Sequence, residues 1–407
     1  MNVQETTLRN PTDDGEQLLL DRGSLFMQRT AAVAALAATE ADAVDRQGRF
    51  PKAAIDAARA QKLLGMQIPV EFGGLGASVH DITDVCYTLG RACASTAMIF
   101  AMHQTKVACL VRHGRGNPYM EALMRRIAGE QLLLASSTTE GQNGGNVRAS
   151  AAAVGKNDGE ITLLRDATVI SYGAEADGLV TVARRSDESS ASDQVLLALV
   201  KEDYALKRTV GWETLGMRGT CSSGFELKVS CPSDRIFTEP YDRIHSQTMT
   251  PFAHLTWSSA WAGIAAAAVQ RAQRFIRKAA RSAGGQMPPA AAHFTTARMS
   301  LAKLRAIIAS NMNAYVMHQY DERALSSLDF QSSITLLKVE ASELAVETVM
   351  CAMRACGLSG YRNDGEFSIS RHLRDVLSAP IMINNDRILA NVATSNLMSA
   401  VPISLHD

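Results

Sequence analysis

The sequence predicts an α+β protein in three stretches: a helical N-terminal domain over residues 1–131, a small β domain over 132–240, and a helical bundle over 241–407. Three observations predict it. Apolar residues recur at helical spacing in the first and last stretches. Short β-branched runs separated by Gly, Asn, Asp and Ser fill the middle one. Strands do not alternate with helices along the chain, which excludes a doubly wound nucleotide-binding sheet.

In the first stretch Pro51 stands where a first helical residue belongs and Gly65 stops that segment. Ser78 with Asp81 forms a start signal, followed by Ile82, Val85, Cys86 and Leu89 on one face. Asn117-Pro118 opens another helix with Leu123 and Ile127 inward. The middle stretch predicts strands at Thr162–Leu164, Leu179–Val182, Val195–Val200 and Phe225–Val229, with the polar run Ser186–Asp193 as a hairpin loop. The last stretch is rich in alanine. Ile334, Leu337, Ala341 and Leu344 form a narrow stripe, Ala265–Ala268 allow close helix approach, and Gly284–Pro289 separates two helices.

Composition narrows the function. The 407 residues carry 41 Lys plus Arg against 41 Asp plus Glu, so no basic surplus exists to neutralise nucleic-acid phosphates. No apolar run reaches the roughly 20 residues of a membrane helix. The polar, acidic N-terminus is unlike a secretory signal. Seven cysteines without C-x-x-C spacing predict reduced thiols in the cytoplasm and neither a disulfide frame nor a metal site. G-x-G-x-x-G, Walker A, H-E-x-x-H and EF-hand patterns are absent.

Three motifs then point one way. Ile68-Pro69-Val70-Glu71-Phe72-Gly73-Gly74-Leu75-Gly76 resembles the I-P-E-E-Y-G-G-L-G turn of acyl-CoA dehydrogenases. Leu215-Gly216-Met217-Arg218-Gly219-Thr220 resembles their L-G-I-R-G-S strand, and Arg371-His372-Leu373-Arg374-Asp375 their R-x-x-R-D helix. The resemblance implies a middle β-barrel, a C-terminal four-helix bundle, bound FAD and a homotetramer. Read as residues alone, the glycines of the first motif serve equally well as turn formers.

The resemblance also assigns site residues. Thr138-Thr139-Glu140-Gly141-Gln142-Asn143-Gly144-Gly145-Asn146 is similar to the T-E-P-G-A-G-S-D loop. It implies flavin contacts from Thr138 and Thr139 and pyrophosphate contacts from Gly144 and Gly145, whose backbone N–H groups can face an anion. Gly141 and Gly145 depart from the family's proline and serine. Val169-Ile170-Ser171-Tyr172-Gly173 resembles W-I-T-N-G and puts Ser171 at the flavin ring. Arg281, in a run similar to R-x-x-F-G, and Gly357, in a looser G-G-x-G-Y turn, imply contacts to the FAD of a neighbouring subunit. Asn385 is carried over as a cofactor contact, and His103 and Ile383 as substrate-pocket residues.

The implied chemistry is α,β-dehydrogenation of an acyl thioester on CoA or a carrier, with an electron-transfer flavoprotein or oxygen as acceptor. It needs a base beside the α-carbon. The family's glutamate position after the R-D pair falls on Ile383, and the alternative position on an earlier helix falls in Ala253-His254-Leu255. Asp386 and His254 are the substitutes, each with a plain alternative as an ion-pair or core residue. A missing glutamate also fits relatives of this fold that work as flavin-dependent monooxygenases, or a non-catalytic FAD-binding relative.

Overall fold

The computed structural model describes residues 11–140, 148–398, 401, 403 and 404, and only the backbone of 11–22 and 395. Five helices lead: α1 (Pro11–Gln47), α2 (Lys52–Ala60), α3 (Val79–Ala92), α4 (Ala94–His113) and α5 (Pro118–Glu130). The start signals act as predicted. Ser78 and Asp81 close a reciprocal capping box on α3, and Asn117 Oδ1 accepts the Tyr119 and Met120 N–H groups ahead of α5. The glycine-rich turn folds back tightly on itself: a Cβ on Gly74 would lie 1.9 Å from the Ile68 carbonyl oxygen.

Seven strands follow: β1 (Leu134–Ser137), β2 (Gly155–Asn157), β3 (Glu160–Ile170), β4 (Gly178–Arg184), β5 (Gln194–Val200), β6 (Tyr204–Val210) and β7 (Ser223–Pro232). The four strands read from the sequence lie inside β3, β4, β5 and β7. The strands form two sheets, ordered β1-β4-β5 and β2-β3-β7-β6. Their patterns differ for a physical reason. In β4 and β5, Leu179, Ala183, Leu197 and Leu199 join the central core. Val180, Val182, Leu196 and Ala198 face a second cluster with α5 residues, so both faces are buried and the runs are continuously apolar. β3 alternates exposed and buried residues because only one of its faces meets the core.

The run Leu215–Thr220, expected as a strand by resemblance, is instead a loop ending in a short 3₁₀ turn at Arg218–Thr220. Met217 has φ 53°, and a Cβ on Gly216 would sit 2.0 Å from the Arg374 carbonyl oxygen. The left-handed conformation at Met217 interrupts an extended run there.

A continuous helical run continues the chain: α6 (Tyr241–Ile244), a π-helical turn (His245–Met249) and α7 (Thr250–Ser282). Then come α8 (Ala291–His318), α9 (Glu322–Leu325), α10 (Leu328–Cys356), α11 (Leu358–Tyr361), α12 (Ser370–Val376) and α13 (Asn385–Met398). Helices α7, α8 and α10 pack on one another, with α13 against α10. Helix α3 crosses α7 at Gly90 and Gly263, where a Cβ on either would meet the other backbone within 2.3 Å. Among the described residues no helix is long and apolar enough to cross a membrane.

Candidate active site

A cleft of about 590 Å³ opens where α4, the β sheets, the π-helical turn with α7, and the segment 374–383 converge. The interlocking motifs build one edge. Asp375, buried after α12's arginine, accepts the Met217 N–H at 2.7 Å, and Arg374 pairs with Asp45 of α1 at 2.9 Å and donates to the Leu215 carbonyl at 3.0 Å. Burial pushes the Asp375 carboxyl up to about 6, partly offset by that N–H bond.

The β side of the cleft carries small hydroxyls: Ser136, Thr138, Thr139, Ser171, Thr220 and Ser222. Tyr172, buried at φ 45°, donates its hydroxyl to the Leu134 carbonyl at 3.0 Å, and this turn brings Ser171 to the cleft wall. Ser171 Oγ accepts from Ser222 Oγ at 2.8 Å, which leaves its own proton for a ligand. The loop that leaves Thr139 is pinned by a buried ion pair, Glu140–Arg165 at 3.0 Å.

The helical side is different. Lys106 of α4, His245 of the π-helical turn, and Met249, His254 and Trp257 line it. His254 Nδ1 donates to the Ile334 carbonyl at 2.8 Å, so the neutral ring carries its lone pair on Nε2. Burial is the main cause that lowers His254 to about 4, and burial with nearby positive groups takes His245 to about 3. The Trp257 indole N–H is buried without a partner among the described residues. Among the described residues lining the cleft there is no Asp or Glu.

The sequence expectations sort accordingly. Thr138, Thr139, Ser171, His254 and Ile383 meet at the cleft. His103 does not: it is a fully buried residue of α4, with Nε2 donating to the Leu64 carbonyl at 2.9 Å and Nδ1 accepting the Leu134 N–H at 3.0 Å. Both ring nitrogens are spent on backbone, and His103 is not among the residues that line the cleft. Asn385 is not in the cleft lining either, and its amide meets Lys338, Ser342 and Glu343. Asp386 is exposed in the first turn of α13, outside the cleft lining. Arg281 and Gly357 sit exposed at the C-terminal ends of α7 and α10, away from this chain's own cleft. Gly144 and Gly145 lie outside the described residues.

Residues 25–130 match the model of the acyl-CoA dehydrogenase N-terminal domain and residues 246–397 that of the acyl-CoA dehydrogenase C-terminal domain. The chain belongs to the acyl-CoA dehydrogenase family. It is similar to cyclohex-1-ene-1-carbonyl-CoA dehydrogenase of Geobacter metallireducens, 24% identical over 358 residues that cover 87% of this chain and 92% of that one. It is also similar to the amino sugar nitrososynthase DnmZ of Streptomyces peucetius, at 25% identity over 83% of this chain and 84% of that one. The fold is shared with FMN-bound TdsC of Paenibacillus sp. A11-2, at TM-score 0.80 and 20% identity, over 93% of this chain and all 100% of that one.

As a member of the acyl-CoA dehydrogenase family the chain is a flavin-dependent oxidoreductase. The cleft fits the group: mostly apolar walls suit the ring, while the Ser171 hydroxyl proton and the orphaned Trp257 N–H offer donors to its polar edge. The sequence singled out neither Lys106, His245 nor Lys338. For Lys106 a signal existed: it is the first Lys, Arg, Asp or Glu in α4 after a dozen uncharged residues. For His245 no local pattern distinguished it from an ordinary helix residue.

Proposed function

We propose that the protein dehydrogenates an acyl thioester and that His254 takes the α-proton. The observation that carries this is the anchored ring: His254 lines a cleft with no carboxylate among its described residues, with Nδ1 committed to the Ile334 carbonyl and Nε2 left as the proton acceptor. A conjugate-acid pKa of about 4 gives His254 the base strength of an ordinary carboxylate, so it can do the work a glutamate does elsewhere. A bound flavin, which we propose to be FAD, supplies the two-electron acceptor. Thr138, Thr139 and Ser171 hold its ring, and the apolar walls exclude water.

Arg281 and Gly357 are proposed to serve the flavin of a neighbouring subunit in a homotetramer. The exposed Tyr320, Leu358 and Tyr361 support burial against further copies. An electron-transfer flavoprotein is the proposed acceptor. Seven free cysteines support a reducing compartment such as the cytoplasm.

The test is anaerobic titration of the purified yellow protein with acyl-CoAs of different length. Loss of oxidised-flavin absorbance is expected, and H254A is expected to slow it by about 10²–10⁴-fold with flavin occupancy unchanged. Bleaching by none of the panel would overturn the reading. One observation favours a second reading, a flavin-dependent monooxygenase: the described residues of the cleft include no carboxylate, the group that dehydrogenation most readily uses. That reading predicts oxygen consumption with externally reduced flavin and an oxygenated product.

A further inference from the structure

Lys106 is an unusual residue to find in this wall. It is 5% exposed, it lines the cleft, and its ammonium has one hydrogen-bond partner among the described residues, the Met249 sulfur at 3.5 Å. A thioether is a weak acceptor. Burying an ammonium without an anion or good oxygen acceptors is costly, and proteins avoid it unless something compensates. The neighbouring groups do not. The Thr105 hydroxyl is spent on the Ala101 carbonyl at 2.9 Å, and the Tyr241 hydroxyl faces the same Met249 sulfur at 3.7 Å. Burial keeps His245 and His254 neutral, so they bring no negative charge to the ammonium, and among the described residues no carboxylate lines the cleft.

We propose that this end of the cleft receives a carboxylate carried on the substrate's tail, so that the acyl group is an ω-carboxylated chain. The placement along the elements supports the tail end. Met98 and Lys106 both line the cleft from α4, and eight residues of helix separate them by about 12 Å. The near end of α4 meets the segment Arg218–Thr220, where a Cβ on Gly219 would lie 2.9 Å from Ser95 Oγ. Lys106 faces the π-helical turn instead, at Met249, five residues before His254 on one helical run and on the order of 7 Å along its axis. An acyl chain whose α-carbon lies at His254 therefore runs toward Lys106 with its tail. The thioester end of this inference rests on the proposed dehydrogenase reading, whereas the carboxylate does not.

The experiment uses flavin-loaded holoenzyme and pairs of thioesters of equal length, one ending in methyl and one in carboxylate, over about four to ten carbons. Binding is read from perturbation of the flavin spectrum under anaerobic conditions. The wild type is expected to bind the best carboxylate-ended member at least tenfold more tightly than its methyl partner. K106M is expected to reverse that order, and K106R to retain part of it. Preference of the wild type for methyl-ended chains, or an unchanged preference in K106M, overturns the inference. If neither thioester binds, the acyl-CoA reading fails by itself. Free alkanoates against alkanols of equal length, followed by calorimetry, then decide: Lys106-dependent retention of the alkanoate supports the inference, and its absence overturns it.

Discussion

Two buried lysines flank the same cleft, and their surroundings differ in what they ask of the cation. Lys338 of α10 is fully buried, yet its ammonium meets three oxygens: the Ile383 carbonyl at 2.8 Å, the Asn385 side chain at 2.6 Å and the Pro380 carbonyl at 3.4 Å. It also lies 6.0 Å from the centre of the Trp261 ring. Among the described residues Lys106 has the Met249 sulfur alone. Burial pushes both down to about 8. The first lysine is therefore satisfied by the fold, and the second is left to be satisfied by a ligand. Lys338 also explains a strained backbone. Ile383, a β-branched residue, adopts φ 49° at the position where the family places its glutamate. Such strain persists only where the surroundings over-determine it, and here Lys338 grips both ends of the turn.

The largest expected effect breaks this comparison at Lys338. K338M removes the donor from three oxygens and frees the Pro380–Ile383 turn, with an expected loss of about 3 kcal/mol in denaturant unfolding. The matching K106M variant removes an ammonium that the fold does not satisfy. Its stability is expected to be unchanged or raised by about 1 kcal/mol. Equal losses in the two variants would show that both lysines are structural, and the functional assignment of Lys106 would fall.

The same contrast shows where the sequence could be read and where it could not. Caps, breakers and periodicity located α3, α5, the separation of α7 from α8, and four strands, because each rests on short-range physics. The edge strand β6 escaped, since only Tyr204 and Leu206 turn partly inward and the rest of Tyr204–Val210 is exposed without alternation. Motif resemblance pointed to Thr138, Thr139 and Ser171, which the fold brings to the cleft wall. It gave no sign of the partners of His103 and Asn385, which are Leu64, Leu134 and Lys338. Those contacts span 31 to 47 positions, and nothing local announces them. A histidine that lines a cleft and one that ties a helix to a strand look alike until the fold is assembled.

A smaller effect sharpens the comparison by pH. An unfolded lysine releases its proton near about 10.4, whereas Lys106 and Lys338 in the folded protein release theirs at about 8. Below that lower value both states hold the proton and the burial penalty is constant. Between the two values the unfolded state binds more protons, so stability rises with pH. Buried tyrosines and cysteines with raised pKa values oppose this rise, but they cancel when wild type and variant are compared. K106M is therefore expected to lose up to about 1.4 kcal/mol per pH unit of that slope, measured by denaturant midpoints across the window. Saturation of the wild type with a carboxylate-ended ligand should suppress the Lys106 share, because a paired ammonium keeps its proton to higher pH, while the Lys338 share stays. A wild-type slope that ligand does not alter would mean that the carboxylate never reaches Lys106.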